Sequence, residues 1–357
     1  MSIPESVKEF PRPGWVVLRA RRLTLSVRLD RRVPAVVLTL ALVLLAALVL
    51  SVSYGEYKIA PLDVLRAVAG METSDPNHLL VVRGFRLPRI LLALMIGAAL
   101  AASGAIIQGI TRNDLADPGL LGINSGAGVL VVGYLTFAAR PNPALFPWLA
   151  LVGALAAAGV IYALAWKRGS SSLRLILIGV GLASLGGALI SYFLTKLTLF
   201  NAQQAYVWLT GSVYGSTWSE VRLMLLWLGV LLPLTFLLAR QLNVLNLGDD
   251  LATSLGTRLE LHRLVLIGLS AGLAAITVTV AGAIGFAGFV SPHIARRLVG
   301  PSHEGLLLCT VLVGGLLLVV ADLASRWVIA PNELPIGVTT AIIGAPYFAY
   351  LLYKRGR

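Results

Sequence analysis

Apolar residues run along this chain in long blocks instead of alternating with polar ones. Crossing the hydrocarbon core of a bilayer takes roughly 20 mostly apolar residues. Ten stretches qualify: 33–53, 87–107, 118–138, 147–166, 173–195, 221–240, 263–280, 281–298, 305–328 and 335–353. The seventh and eighth share one glycine-rich block that is too long for a single span. Gly282, Gly285 and Gly288 offer a place to turn there, which predicts a full helix and then a short one ending at Pro292. The pattern predicts an all-α polytopic membrane protein: one ten-helix domain over 33–357, preceded by a basic tail at 1–32. Gly97, Ala101 and Ala105 in the second span, and Gly179, Ala183 and Gly187 in the fifth, repeat at four-residue spacing. Such small-residue faces let helices approach closely in lipid.

Composition agrees and narrows the class. Of 357 residues, 57% are hydrophobic and only 13% charged, against about 25% charged in soluble proteins. Too few charges remain to cover a water-soluble fold, and a chain this apolar is not intrinsically disordered. The net charge of +13 finds its source in cytoplasmic loops. With ten spans and the N-terminus inside, 20 of the 29 Lys and Arg fall on the side of the termini and 9 on the other. Both termini are therefore expected in the cytoplasm. The polar stretch before the first apolar run is too long for a signal-peptide n-region, and no small-residue cleavage site follows it. No basic face with interleaved aromatics suggests nucleic acid as a partner. The lone Cys309 excludes an intramolecular disulfide.

Catalytic signatures are missing from the sequence. His78, His262, His293 and His303 show no metal-ligand spacing, and no Gly-Lys dipeptide exists to build a Walker A loop. No G-x-S-x-G elbow occurs either. Asp322 is the one carboxylate well inside a predicted span, and Arg326 four residues on makes it a local structural pair. A conduit powered from elsewhere is expected. A secondary transporter or channel with its own coupling ion is the alternative, disfavoured by the lack of intramembrane carboxylates. An intramembrane enzyme lacks a nucleophile, base or metal constellation.

Three polar constellations interrupt the apolar background. Arg83, Arg86 and Arg89 recur every third residue, which puts them on one side of a helix start, with Pro88 in its first turn. They lie opposite the positive side, where a docking site for an acidic partner explains them better than three separate snorkelling events. The second, 111-TRNDLADPGLLGINSGAG-128, reads as a turn with Asp117 as N-cap and Pro118 opening the next helix. In the third, 243-NVLNLGDDLATSLGTRLELHR-263, Asp249 and Asp250 open a short helix that Gly256 stops, and a second short helix follows from Thr257 to His262. Its apolar face, with Leu251 and Leu255, calls for a covering partner.

These residues resemble the FecCD-like permeases, the membrane subunits of ABC importers for iron-siderophores, haem and vitamin B12. The stretch RLPRILLALMIGAALAASGAIIQGITRNDLADPGLLGINSGAG at 86–128 carries the likeness, followed in order by 245–256, 281–303 and 321–352. It covers the chain from about residue 35, and the basic tail lies outside it. The resemblance implies a dimeric ten-helix-per-subunit permease in the bacterial cytoplasmic membrane. It implies two cytoplasmic ATPase subunits holding ATP and Mg, an extracytoplasmic substrate-binding protein, and a metal chelate, most simply a ferric siderophore, as substrate. No cofactor is expected on this chain. By the same resemblance Arg86, Arg89 and Arg326 dock the binding protein, and Leu247, Gly248, Asp249, Asp250, Leu251, Ser254, Leu255 and Gly256 form the ATPase-coupling loop. The fifth and tenth spans line the pathway, and Arg168, Gly169, Ser170, Ser171 and Ser172 form its cytoplasmic gate. Two departures stand out. Asn113-Asp114 replaces the usual Asn-Pro, which is expected to loosen that turn, and Ser291 replaces a small apolar residue.

Overall fold

A computed structural model describes residues 15–19, 26–55, 57, 59–166, 172–329 and 332–355. Two short strands, β1 (Trp15–Arg19) and β2 (Ser26–Asp30), pair antiparallel ahead of the bundle. All other regular structure among the described residues is helical. The ten predicted spans correspond to α1 (Arg32–Ser53), α4 (Leu87–Thr111), α5 (Ile123–Phe137), α6 (Phe146–Ala165), α7 (Ser172–Leu194), α9 (Trp218–Leu237), α12 (Leu259–Ala281), α13 (Ala287–Val299), α14 (His303–Trp327) and α15 (Ile336–Arg355). Shorter helices join them: α2 (Pro61–Ala69), α3 (Pro76–Leu79), α8 (Leu199–Leu209), α10 (Ala239–Asn246) and α11 (Asp249–Ser254). An even number of spans brings the start of α1 and the finish of α15 to one end of the bundle, the near end. The C-terminus of α1 and the start of α4 lie at the far end.

Two expected boundaries are corrected. The third span begins at Ile123, because Pro118–Leu121 forms a 3-10 turn and Gly122 adopts a left-handed conformation. The block 263–298 does break at Gly282, but α13 continues through Pro292 to Val299. Proline removes one i→i−4 hydrogen bond, and packing on both sides of α13 holds the helix through it. At 13 residues α13 is about 20 Å long, shorter than the roughly 30 Å core. It therefore starts inside the bundle, after a non-helical link at 283–286.

The centre of the bundle is α4. Its small-residue face fits against α13 and α14: a side chain at Gly97 would overlap the Gly314 carbonyl, and one at Gly104 the Gly288 carbonyl. Against α12 it makes a reciprocal polar contact, with Ser103 Oγ donating to Ser270 O at 2.8 Å and Ser270 Oγ to Ser103 O at 3.2 Å. Polar contacts of this kind satisfy hydroxyls that lipid cannot. The peripheral helices differ sharply. Only 17% of the most apolar stretch of α7 and 33% of that of α15 are buried, against 83% in the helix containing α4. Gly187 on α7 has nothing within 4 Å of where a side chain would start. Of the small-residue face of the fifth span, Gly179 is buried and Ala183 half-buried within one copy of the chain, and Gly187 is left open.

Candidate functional site

The far end gathers the predicted docking arginines, and they do not share one face. Leu80–Arg86 is a π-helical stretch joining α3 to α4, so a spacing of three residues no longer stacks side chains. Arg83 turns to the C-terminus of α2, its Nε and Nη2 each 2.8 Å from the carbonyls of Ala67 and Val68. Arg86, only 7% exposed, turns to the C-terminus of α1. Its Nη1 donates to Val52 O at 2.6 Å and Ser53 O at 3.3 Å, and its Nη2 donates to Tyr57 O. Helix C-termini leave carbonyls unpaired and carry partial negative charge, which makes each a suitable seat for a guanidinium. Arg86 is therefore corrected from a presented charge to a buried anchor of α1.

Arg89 and Arg326 meet at Asp322, which is fully buried. Arg89 Nε lies 2.8 Å from Asp322 Oδ1, and Arg326 Nη2 lies 3.0 Å from Oδ2. Arg89 Nη1 reaches outward to Glu333, at 2.7 and 3.0 Å from its two carboxylate oxygens. Arg326 also donates to Tyr54 O at 3.1 Å and to Ser51 Oγ at 2.5 Å, again at the end of α1. The i,i+4 pairing of Asp322 with Arg326 matches the sequence reading. Glu333 was missed, and its position just before the tenth span in 332-NELP-335 was the available signal. Nearby, Tyr57 donates to Asp75 at 2.6 Å. That bond and a backbone N–H from Asn77 hold the Asp75 carboxyl below its usual range.

At the near end, the predicted coupling loop forms a compact device. Leu247 closes α10, Gly248 takes φ +111° and ψ 157°, and Asp249 and Asp250 open α11. The Gly248 conformation is open essentially to glycine alone. Gly256 takes φ +76°, with its N–H on Thr253 O at 2.9 Å and the Thr257 N–H on Ala252 O at 3.2 Å. This pair of bonds is a Schellman stop. Ser254 Oγ bonds back to Asp250 O at 2.8 Å. Leu247, Leu251 and Leu255 are all more than half exposed, an apolar face formed by the six-residue helix and the residues that flank it. The expected second helix at 257–262 does not exist separately. Only two residues intervene between Gly256 and Leu259, so its sequence merges into the first turn of α12.

Asp249 anchors this helix to two spans. Its Oδ1 lies 3.0 Å from Arg112 Nη2, at the end of α4, and 2.9 Å from Arg263 Nη2 on α12. Arg263 is 1% exposed. The turn expected to be loosened by Asp114 is instead closed. Asn113 accepts from the N–H groups of Leu115 and Ala116 at 3.0 Å each, and Asp114 pairs with Arg296 of α13. Asp117 caps the 3-10 turn through the Gly119 N–H at 2.8 Å, as the sequence suggested. Burial pushes its carboxyl upward. Ser291 is fully buried on α13. Of the expected gate, Arg168, Gly169, Ser170 and Ser171 lie outside the described residues, and Ser172 is the first residue of α7.

Among the described residues no group of three or more His, Cys, Asp or Glu converges in a way that could hold a metal ion. A hollow of about 530 Å³ at the far end lies between the start of α6, α8 and the end of α12. Phe146, Phe200, Gln204 and Trp208 contribute to its lining, which carries no ionisable side chain. Its size suits a small ligand, but its lining offers no charge to select one.

Comparison with known proteins agrees with this architecture. The iron(3+)-hydroxamate import system permease protein FhuG of Bacillus subtilis (strain 168) is 41% identical over 90% of this chain and 97% of its own. The hemin transport system permease protein HmuU of Yersinia pestis is 40% identical over 76% of this chain and 82% of its own. A solved structure described as an inward-facing metal-chelate type ABC transporter superposes with a TM-score of 0.81 at 32% identity, covering 90% of this chain and 99% of that one. The model of the FecCD transport family matches residues 43–354. This chain belongs to the FecCD transport family, and is a multi-pass membrane permease whose ATPase partner is a separate subunit.

Proposed function

We propose that this chain carries a ferric siderophore or a related metal chelate into the cytoplasm, drawing its energy from two ATPase subunits bound at the near end. The observation that carries this reading is the exposed face of Leu247, Leu251 and Leu255 on and beside a helix held rigidly by Asp249. Three leucines left in water on and beside a six-residue helix are a liability unless a protein covers them. The positive-inside charge split supports a cytoplasmic near end with both termini there, in a bacterial inner membrane. The barely buried α7 and α15 supply the surface for a second permease subunit, with the pathway between the two copies.

At the far end an extracytoplasmic binding protein delivers the chelate. Its carboxylates are met by the arginine patch at its accessible edge, Arg83 and the outer side of Arg89. Arg326 and Arg86 set the shape from behind by fixing α1. The secondary-transporter alternative gains nothing from Asp322, because two arginines already engage that carboxylate. Relatives named for hydroxamate and hemin match at nearly equal identity, so overall identity does not choose the substrate. The test is reconstitution with the partner ATPase and binding protein, offering ferric hydroxamate, ferric citrate and hemin separately. ATP-dependent uptake of at least one chelate supports the reading; uptake of none, by an assembled complex, overturns it.

A further inference from the structure

The loop between α4 and α5 touches both the coupling helix and the short helix α13. Its first residue, Arg112, takes φ +52° and reaches Asp249 at the head of α11 at 3.0 Å. Two residues later Asp114 pairs with Arg296 in the last turn of α13. Three residues further, Asp117 leads into Pro118, whose ring sits against Gly288 in the first turn of the same helix, where a side chain would overlap it. The buried Gln108 ties both parts together, its Nε2 donating to Ala116 O at 3.2 Å and Phe289 O at 3.3 Å. The loop therefore grips α13 near both ends and the coupling helix at one point.

On its other side α13 meets α15 through rings. Phe289 packs edge-on against Phe348 with centroids 5.2 Å apart, and His293 packs against Tyr347 at 5.8 Å. At Gly344 a side chain would collide with Phe286. Because α13 starts inside the bundle, it can tilt without dragging a full span with it. Its displacement would reach α15, only 33% of whose most apolar stretch is buried, directly.

We propose that the 112–117 loop is the transmission element of this permease: Asp249 and Asp114 are positioning residues that convert movement of α11 into movement of α13, and through it of α15. The proposal rests on the reading of α11 as the ATPase contact. Asp249 holds the driving helix to the loop, and Asp114 holds the loop to the driven helix. Both links are ion pairs, which tolerate small changes of angle while keeping distance, as a joint must.

The experiment uses the full complex with its ATPase and binding protein, in a Cys309→Ala background. Arg112→Gln, which breaks the link to Asp249 while leaving Asp249 its pair with Arg263, and Asp114→Asn are compared with wild type for ATPase affinity, ATP hydrolysis and chelate transported per ATP. Spin labels at Leu298 on α13 and Leu352 on α15 report the nucleotide-dependent change in their separation. Both variants are expected to bind the ATPase and hydrolyse ATP within twofold of wild type. Transport per ATP should fall at least fivefold, and the nucleotide-dependent distance change should be lost. The exchanged pair Asp114→Arg with Arg296→Asp should recover at least half of both. Unchanged transport per ATP overturns the proposal, and so does loss of ATPase binding in either single variant, because the pairs would then serve assembly only. The underlying reading fails separately, if Leu251→Ser with Leu255→Ser leaves ATPase affinity intact.

Discussion

Replacing Asp322 by asparagine removes the one charge that Arg89 and Arg326 share, at a site with no exposure to solvent. Breaking a buried ion pair costs about 3–5 kcal/mol, because the remaining charge is left uncompensated. Here the loss is cushioned. Arg89 keeps Glu333, and Arg326 keeps the carbonyls at the end of α1. The lower bound of about 3 kcal/mol is the better figure, a factor of roughly 150 in the folding equilibrium. Glu333→Gln removes the outer partner of the same arginine, and the Glu333 side chain is 30% exposed. Exposed pairs are worth about 0–1 kcal/mol. Chemical unfolding of the permease in mixed micelles measures both. Asp322→Asn should be destabilised at least threefold more, in free energy, than Glu333→Gln, and only the milder variant should remain fully assembled. Equal losses, or an Asp322→Asn loss below about 1 kcal/mol, would refute the picture of a buried arginine clamp.

Other outcomes follow from the same geometry. Gly256→Val forces a β-branched residue into a left-handed conformation that costs roughly 1–2 kcal/mol; the permease should still fold while ATPase-driven transport falls several-fold, read as uptake in proteoliposomes. Gly104→Val should abolish folded protein in size-exclusion profiles, because its side chain overlaps the Gly288 carbonyl. Gly187→Val should spare the fold of one copy yet weaken association of two, read by chemical cross-linking, because no described residue lies within 4 Å of where its side chain would start. Asp75 has a lowered folded pKa, so its contribution is complete above the ordinary carboxylate value of about 4 and disappears as pH falls through the lowered one. Hydrogen exchange around residues 73–79 should therefore be unaffected by Asp75 titration between pH 5 and 8 and show its loosening only in stronger acid.

The spans were legible because lipid imposes one rule on them, about 20 apolar residues in a row, and Leu, Val and Ala blocks obey it visibly. The small-residue spacing of Gly97, Ala101 and Ala105 likewise announced a close helix contact, and α14 provides it. What stayed hidden depends on partners distant in sequence. Arg86 looked like an outward charge until the C-terminus of α1, more than 30 residues earlier, proved to be its seat. A π-helical turn, which residue spacing does not reveal, separated three arginines that a regular helix would align. Asp114 read as the loss of a proline, since Arg296 lies 182 positions away. The coupling loop was half legible: Gly248, Asp249 and Gly256 marked α11, but the helical sequence after Thr257 gave no sign of where α12 begins.

One uptake measurement tests ATP-driven import most directly. Proteoliposomes holding the permease, its ATPase and its binding protein are given ferric hydroxamate outside, with ATP sealed inside or omitted, and no ion gradient. Iron uptake is expected only with internal ATP, with at least a tenfold loss of it when Leu251 and Leu255 are both changed to serine. Equal uptake without ATP once a proton or sodium gradient is imposed would contradict that expectation, and make this chain a transporter with its own coupling ion.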